Sequence, residues 1–384
     1  MSSLPTFTFR SPLQVIFGSG TLKSLPAAAA KLGSKALIVT GGGSLRRSGH
    51  LDGVVAALDE KGLVASVFEG VEPDPTIQTI DRGREAFRAG GCDLVIAIGG
   101  GSALDAGKAI GALAHAEEAT AVYFTGKEIT SPGAPIIALP TTSGTGAEVT
   151  PNSVLSDRDS HVKQSIRGEG LMPQIAIVDP ELTLGLPAEQ TAFTGLDALT
   201  QALESYVSKG ANPVSDHLAE ESIVRIAGSL YTAYADGTDL QAREDMALGS
   251  LLAGLALASA RLGLVHGLVH PLGEAYHITH GLACAITLPH VMEYNVPVAA
   301  AKYARAARLI GISEPTDEAH ARTLIAWFRE LATKIGAGTT LGAFGAKEAD
   351  FEAMVPAILA SGSTKHNPRE ATAEDVLAIM RAAL

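Results

Sequence analysis

The chain has 384 residues, more than one hydrophobic core ordinarily serves, so two domains are expected. Its formal charge is −12 and it has no basic run longer than Arg46-Arg47, which argues against a nucleic-acid partner and for a small-molecule one. Two cysteines, Cys92 and Cys284, are too few and too far apart for a disulfide framework or a cysteine-type zinc site, and they read as buried thiols in apolar surroundings.

The opening MSSLPTFTFR lacks the charged, apolar and small-residue succession of a signal peptide, and no uninterrupted apolar run reaches membrane-spanning length. The expected location is the cytoplasm, with no membrane partner. Short β-rich runs follow at KALIVT (35–40), VASVFEG (64–70), CDLVIAIGG (92–100), PIIALPTT (135–142) and IAIVDP (175–180), with helical patterns at 50–62 and 79–91. That alternation is the mark of parallel βαβ units. Residues 1–184 are therefore read as an α/β domain with a parallel sheet. Beyond LTLGLP (182–187) the β-type runs nearly vanish and Ala/Leu-rich helical patterns take over, so residues 185–384 are read as an all-α domain.

Three loops carry cofactor chemistry. IVTGGGSLRRSG (38–49) ends a strand with Gly41, Gly42 and Ser44; no acidic residue stands there to take a ribose 2′-hydroxyl, and Arg46 and Arg47 lie close by, which leans toward NADP over NAD. Taken alone, the two arginines read equally well as a solvated basic turn. VIAIGGGSALDAGKAIG (95–111) is a strand, three glycines (Gly99, Gly100, Gly101), Ser102 and a helix opening, which reads as a pyrophosphate cradle although it is not the G-x-G-x-x-G pattern. ALPTTSGTGAEVT (138–150) offers Thr141, Thr142, Ser143 and Thr145 after another strand, where open α/β sheets bind ligands.

The helical half carries the ligand-type residues. GLVHGLVHPLGEAYHITHG (263–281) holds four of the eleven histidines. His266 and His270 share a helix face, whereas Pro271, Gly273 and Gly281 are expected to break the stretch and put His277 and His280 beyond it. A catalytic metal also needs an anionic ligand, and FTGLDALTQALESY (193–206) supplies Asp197, with Gln201 four residues on and Glu204 near the same face. Asp197, His266 and His280 form a two-histidine, one-carboxylate pattern, to which Gln201 can add an amide oxygen.

Taken together, FGSGTL (17–22), GGGSALDAGKA, LPTTSGTGAEVT, IVDPELT, TGLDALTQALESY and the histidine segment resemble the iron-containing (group III) alcohol dehydrogenases over nearly the whole chain. The resemblance implies a Rossmann-like dinucleotide-binding domain over residues 1–184, a helical metal and substrate domain over 185–384, metal ligands at Asp197, Gln201, His266 and His280, an active-site histidine at His270, and a homodimer. It places cofactor contacts at Gly99, Gly100, Gly101, Ser102, Asp105, Thr141, Thr142, Thr145 and Lys163, and substrate near Asn152 and Leu257. Gln201 departs from the family pattern, which usually has histidine there. Arg261 stands where a small residue is common, and it either meets an anionic substrate or pairs with an acidic neighbour.

The function expected is NAD(P)-dependent interconversion of a small alcohol and its carbonyl compound, with a divalent metal, Fe2+ before Zn2+, polarising the substrate oxygen. Two rivals stand beside it: a metal-independent reductase of an anionic carbonyl compound, similar to maleylacetate reductases, and a catalytically silent NADP-binding protein.

Overall fold

The computed structural model describes residues 6–130, 132–160 and 162–384. The chain divides into two compact units: Ser11–Thr142 with Gly146–Thr183, and Leu184–Leu384 with Ser143–Thr145 and the stretch ending at Arg10.

In chain order the first unit contains β1 (Gln14–Phe17), α1 (Leu25–Ala29), β2 (Lys35–Gly41), α2 (Ser44–Arg47), α3 (His50–Asp59), β3 (Val64–Val71), α4 (Ile77–Ala89), β4 (Leu94–Gly99), α5 (Gly101–Ala112) and α6 (Thr120–Phe124). It continues with β5 (Ile136–Pro140), β6 (Asn152–Asp157), β7 (Val162–Arg167) and β8 (Ile175–Val178). Six strands form one sheet in the order β1-β8-β5-β4-β2-β3, every pair parallel. The central strands are apolar on both sides because both faces are covered. Leu37, Val39 and Val95 pack with Ile80, Phe87 and Ile110 of α4 and α5, while Ile38, Ile96 and Ile137 pack with Leu25, Leu51 and Leu58 of α1 and α3. Each such buried side chain contributes about 2 kcal/mol.

The five strands expected from the sequence are β2, β3, β4, β5 and β8. The four-residue edge strand β1 and the antiparallel β6–β7 hairpin, paired from Asn152↔Arg167 to Asp157↔Val162, were not foreseen. Neither has a continuous apolar run: β1 is too short, and NSVLSD and VKQSIR mix polar residues on a two-stranded element.

The second unit is helical: α7 (Ala188–Val207), α8 (Pro213–Ala235), α9 (Leu240–Ala260), α10 (Leu264–Tyr276), α11 (His280–Leu309), α12 (Asp317–Lys334), α13 (Phe351–Ala360) and α14 (Ala373–Ala382). Asn212 starts α8 with a reciprocal capping box and Pro213 at the first helical position. The first third of α11 is buried almost all round, as its unbroken run of apolar and small residues requires. Among the described residues no single helix is long and apolar enough to cross a membrane; α9 and α10 pass that test only as a pair bent by 106°.

One expectation needs correction. Pro271 and Gly273 do not break the histidine segment, since α10 runs through both to Tyr276. The break falls at His277, whose left-handed backbone (φ 55°, ψ 34°) ends α10 before Thr279 starts α11.

Candidate active site and metal centre

The glycine loops of the α/β unit meet at one end of its sheet. The strand order reverses direction between β2 and β4, the position where open sheets leave a crevice beyond their C-terminal ends. Gly99 has φ 152°, and a Cβ there would lie 2.7 Å from Ala103 Cβ and 4.0 Å from Gly41 N, so the loops after β2 and β4 are neighbours. Thr141 N donates to Gly99 O at 2.9 Å, and a Cβ on Gly100 would sit 3.4 Å from Thr142 Cγ2, which brings in the loop after β5. No side chain caps the start of α5, leaving the first N–H groups of a twelve-residue helix to face a ligand.

Other sequence-derived positions are tied to protein partners. Ser102 Oγ accepts from Asp74 N at 3.3 Å, and Lys163 Nζ pairs with Asp74 Oδ1 at 2.6 Å, so Asp74, itself at φ 55°, links both residues. Asp105 is buried; its Oδ2 accepts from Val154 N at 3.0 Å and its Oδ1 lies 3.0 Å from Lys108 Nζ. Burial pushes its carboxyl above the ordinary range against the attraction of Lys108. The same lysine donates to Ala147 O at 2.8 Å and lies near Glu148, whose carboxyl burial raises to about 7. Gly41 and Gly42 precede α2, which Ser44 opens. Arg46 pairs with Glu69 at 3.0 Å and with Asp52 at 3.3 Å, and Arg47 donates to Gly42 O at 3.4 Å.

In the helical unit the ligand-type residues converge. Asp197 and Gln201 are one turn apart on α7, His266 lies in the first turn of α10, and His280 opens α11. Oδ1 of Asp197 lies 3.4 Å from Nε2 of His266, 3.7 Å from Nε2 of His280 and 3.7 Å from Sγ of Cys284. Donor atoms of these four residues are all within 4.8 Å of one another. The ring of His280 is 5.3 Å from those of both His266 and His270, so the three imidazoles form one cluster.

Asp197 is 3 % exposed; burial opposes its charge, but His280, His266 and the Gln201 amide together hold its carboxyl below the usual range. Burial likewise opposes protonation of His266, yet Asp197 and Glu204 outweigh it and raise the imidazole to about 9. Gln201 is also buried, and its Oε1 has no hydrogen-bond partner. A buried acceptor left in this state costs about 1–3 kcal/mol. A buried carboxylate and two imidazole nitrogens that converge on it, with an orphaned amide oxygen one helical turn away, are donors a divalent cation takes, so the residues fit the expected metal.

The cluster is set by a second layer. Nδ1 of His266 is 2.6 Å from Oε2 of Glu204, and Oε1 of Glu204 accepts from Val265 N at 2.7 Å. Leu264 N donates to Asn367 Oδ1 at 3.2 Å. The start of α10, which has no capping side chain of its own, is thus capped from two other elements. Helix α11 reaches α7 at backbone contact: a Cβ on Gly281 would lie 2.0 Å from Phe193 O. Only glycine allows His280 so close to Asp197.

Sequence reasoning did not foresee Cys284 at this cluster, having placed it in apolar surroundings, nor Asp74. Cys284 sits four residues after His280 in HGLAC, a spacing that shares a helix face and could have revealed it. Asp74 carried no such signal, because its role comes from a loop conformation. Of the positions tied to substrate, Asn152 starts β6 and is half-buried, Leu257 lies in the last turn of α9, and Arg261 is exposed just beyond that helix with φ 67°.

Residues 12–180 match the profile of iron-containing alcohol dehydrogenase, and residues 191–384 that of the C-terminal part of the Fe-containing alcohol dehydrogenase family. The chain is 42% identical over 356 residues to the 1,3-propanediol dehydrogenase of Klebsiella pneumoniae, covering 91% of this chain and 92% of that protein. It is 37% identical over 376 residues to an NADPH-dependent butanol dehydrogenase of Clostridium saccharobutylicum, covering 96% and 95%. A crystal structure of 1,3-propanediol oxidoreductase matches with a TM-score of 0.95 at 40% identity, over 99% of this chain and 100% of that one. Fold, site and relatives together define an NAD(P)-dependent oxidoreductase acting on CH–OH donors. The chain belongs to the iron-containing alcohol dehydrogenase family, which implies a nicotinamide cofactor and a divalent metal. Neither a metal-independent reductase nor a silent cofactor-binding protein is favoured by these relatives.

Proposed function

We propose that the protein interconverts a small alcohol and its aldehyde with NADP(H), NAD(H) being the second choice, and that Asp197, Gln201, His266 and His280 hold its metal, Fe2+ before Zn2+. Residues 1–184 handle the dinucleotide and residues 185–384 the metal and substrate. The observation that carries this reading is the convergence of His266 and His280 on one oxygen of Asp197 beside the orphaned Oε1 of Gln201. When bound, the metal supplies Lewis acidity to the substrate oxygen, and the nicotinamide exchanges the hydride.

The chain's own residues do the rest. Glu204 holds Nδ1 of His266 so that Nε2 is presented to the metal. His270, beside His280, takes or returns the alcohol proton, a task suited to an imidazole. Gly99, Gly100, Gly101 and Ser102, with the open N-terminus of α5, receive the pyrophosphate, with Thr141, Thr142 and Thr145 in contact with the cofactor. Asp105 and Lys163 act through the contacts that brace this loop. Asn152, Leu257 and Arg261 bound the substrate.

NADP(H) is favoured because β2 ends in Gly41, with Gly42 and Ser44 following, and puts no carboxylate of its own against a 2′-phosphate. Arg46 reaches that phosphate on releasing Asp52, its more exposed partner. A cytoplasmic homodimer completes the reading, to be checked by cell fractionation and by light scattering.

The test is metal content after anaerobic purification, paired with aldehyde-dependent NADPH oxidation before chelation, after it, and after iron or zinc is added back. Stoichiometric metal with activity lost and restored is the expected result. Metal-free protein with undiminished turnover overturns the reading.

A further inference from the structure

Cys284 is fully buried, one helical turn after His280 on α11. Its thiol donates toward Oδ1 of Asp197 at 3.7 Å, the oxygen that both metal-site imidazoles approach. Donor atoms of Asp197, His266, His280 and Cys284 all lie within 4.8 Å of one another, and Oε1 of Gln201, buried one turn after Asp197 on α7, has no hydrogen-bond partner. Two helices held at backbone contact therefore each offer a pair of donors four residues apart, Asp197 with Gln201 and His280 with Cys284.

Charge and donor softness say what this arrangement binds. One carboxylate and two neutral imidazoles leave a divalent ion with a net positive charge beside largely buried donors, and the amide oxygen of Gln201 does not alter that sum. A thiolate cancels it. The amide oxygen is also a hard donor standing where an imidazole is usual in the family, whereas sulfur restores a soft one and favours zinc over harder divalent ions. Resting on the metal-site reading above, we propose that Cys284 is an additional metal ligand, bound as its thiolate, and that it raises the site's affinity for zinc relative to iron without displacing iron as its first metal. On coordination a sulfur–metal bond forms and the thiol proton passes to the buffer.

The test uses the full-length protein loaded anaerobically with Co2+, its cobalt content measured by elemental analysis and its absorption spectrum recorded. A thiolate-to-cobalt charge-transfer band in the near ultraviolet is expected in the wild type, absent from Cys284→Ser and Cys284→Ala, and retained in Cys92→Ser, whose cysteine lies in the other unit. In competition between zinc and ferrous iron, the ratio of bound zinc to bound iron is expected to be lower in Cys284→Ser than in the wild type. Bound cobalt without the band in the wild type, or a band that survives both Cys284 substitutions, overturns this inference and leaves the metal site of Asp197 standing. Failure to bind cobalt at all overturns both. Should the variants not fold, the wild-type spectrum at full occupancy decides.

Discussion

Oε2 of Glu204 lies 2.6 Å from Nδ1 of His266, while the other oxygen of the same carboxylate caps Val265 N at 2.7 Å. One side chain thus fixes both the ring and the helix end that carries it. A carboxylate behind a ligating imidazole sets its tautomer and strengthens its free nitrogen as a donor. Glu204→Gln is expected to weaken metal binding roughly 10–100-fold. Competition with a chromophoric chelator measures this, and unchanged affinity would show that Glu204 only stabilises the helix start.

Gln201→His puts an imidazole where a buried amide oxygen now has no partner. The substitution is expected to tighten iron binding by about tenfold or more, since imidazole is the better donor to borderline metals. Ferrous-ion titration under argon checks it. Unchanged affinity would mean that the side chain at this position does not reach the metal.

Glu148 carries a pH signature separate from the metal. Burial raises its carboxyl from 4.5 to about 7. In that window the folded protein holds a proton that the unfolded chain releases, so stability falls as pH rises. The contribution is complete below pH 4.5 and is lost through pH 7, amounting to a change on the order of 3 kcal/mol. Denaturant unfolding of wild type and Glu148→Gln at pH 5 and pH 8 should show the wild type losing that much more than the variant, whereas parallel losses would place the proton elsewhere.

Arg261 has φ 67° and ψ 179°, a conformation essentially confined to glycine. Arg261→Gly is therefore expected to raise stability by about 1 kcal/mol. Steady-state kinetics on the same variant should show a higher KM if the guanidinium touches substrate. No gain in stability would mean that contacts of the side chain offset the backbone strain.

Much of this was legible in the sequence because it is periodic. Buried parallel strands are continuous apolar runs, and Asp197, Gln201 and Glu204 share a helix face by spacing alone. What spacing could not give was closure. Whether His280 returns to Asp197 depends on a turn at His277 and on two helices meeting at Gly281, both tertiary facts. Pro271 misled because proline discourages helix without forbidding it when packing supplies the rest. Arg46 read as an available cation until folding set it against Glu69 and Asp52.

The contact of Gly281 with the Phe193 carbonyl sets the spacing of α7 and α11, and with it that of Asp197 and His280, by main chain rather than by side chain. Substitutions at 201 and 284, which leave that contact untouched, are therefore expected to change the donor atoms on offer without changing the spacing of the two helices. A frame held by main chain leaves its lining free to vary.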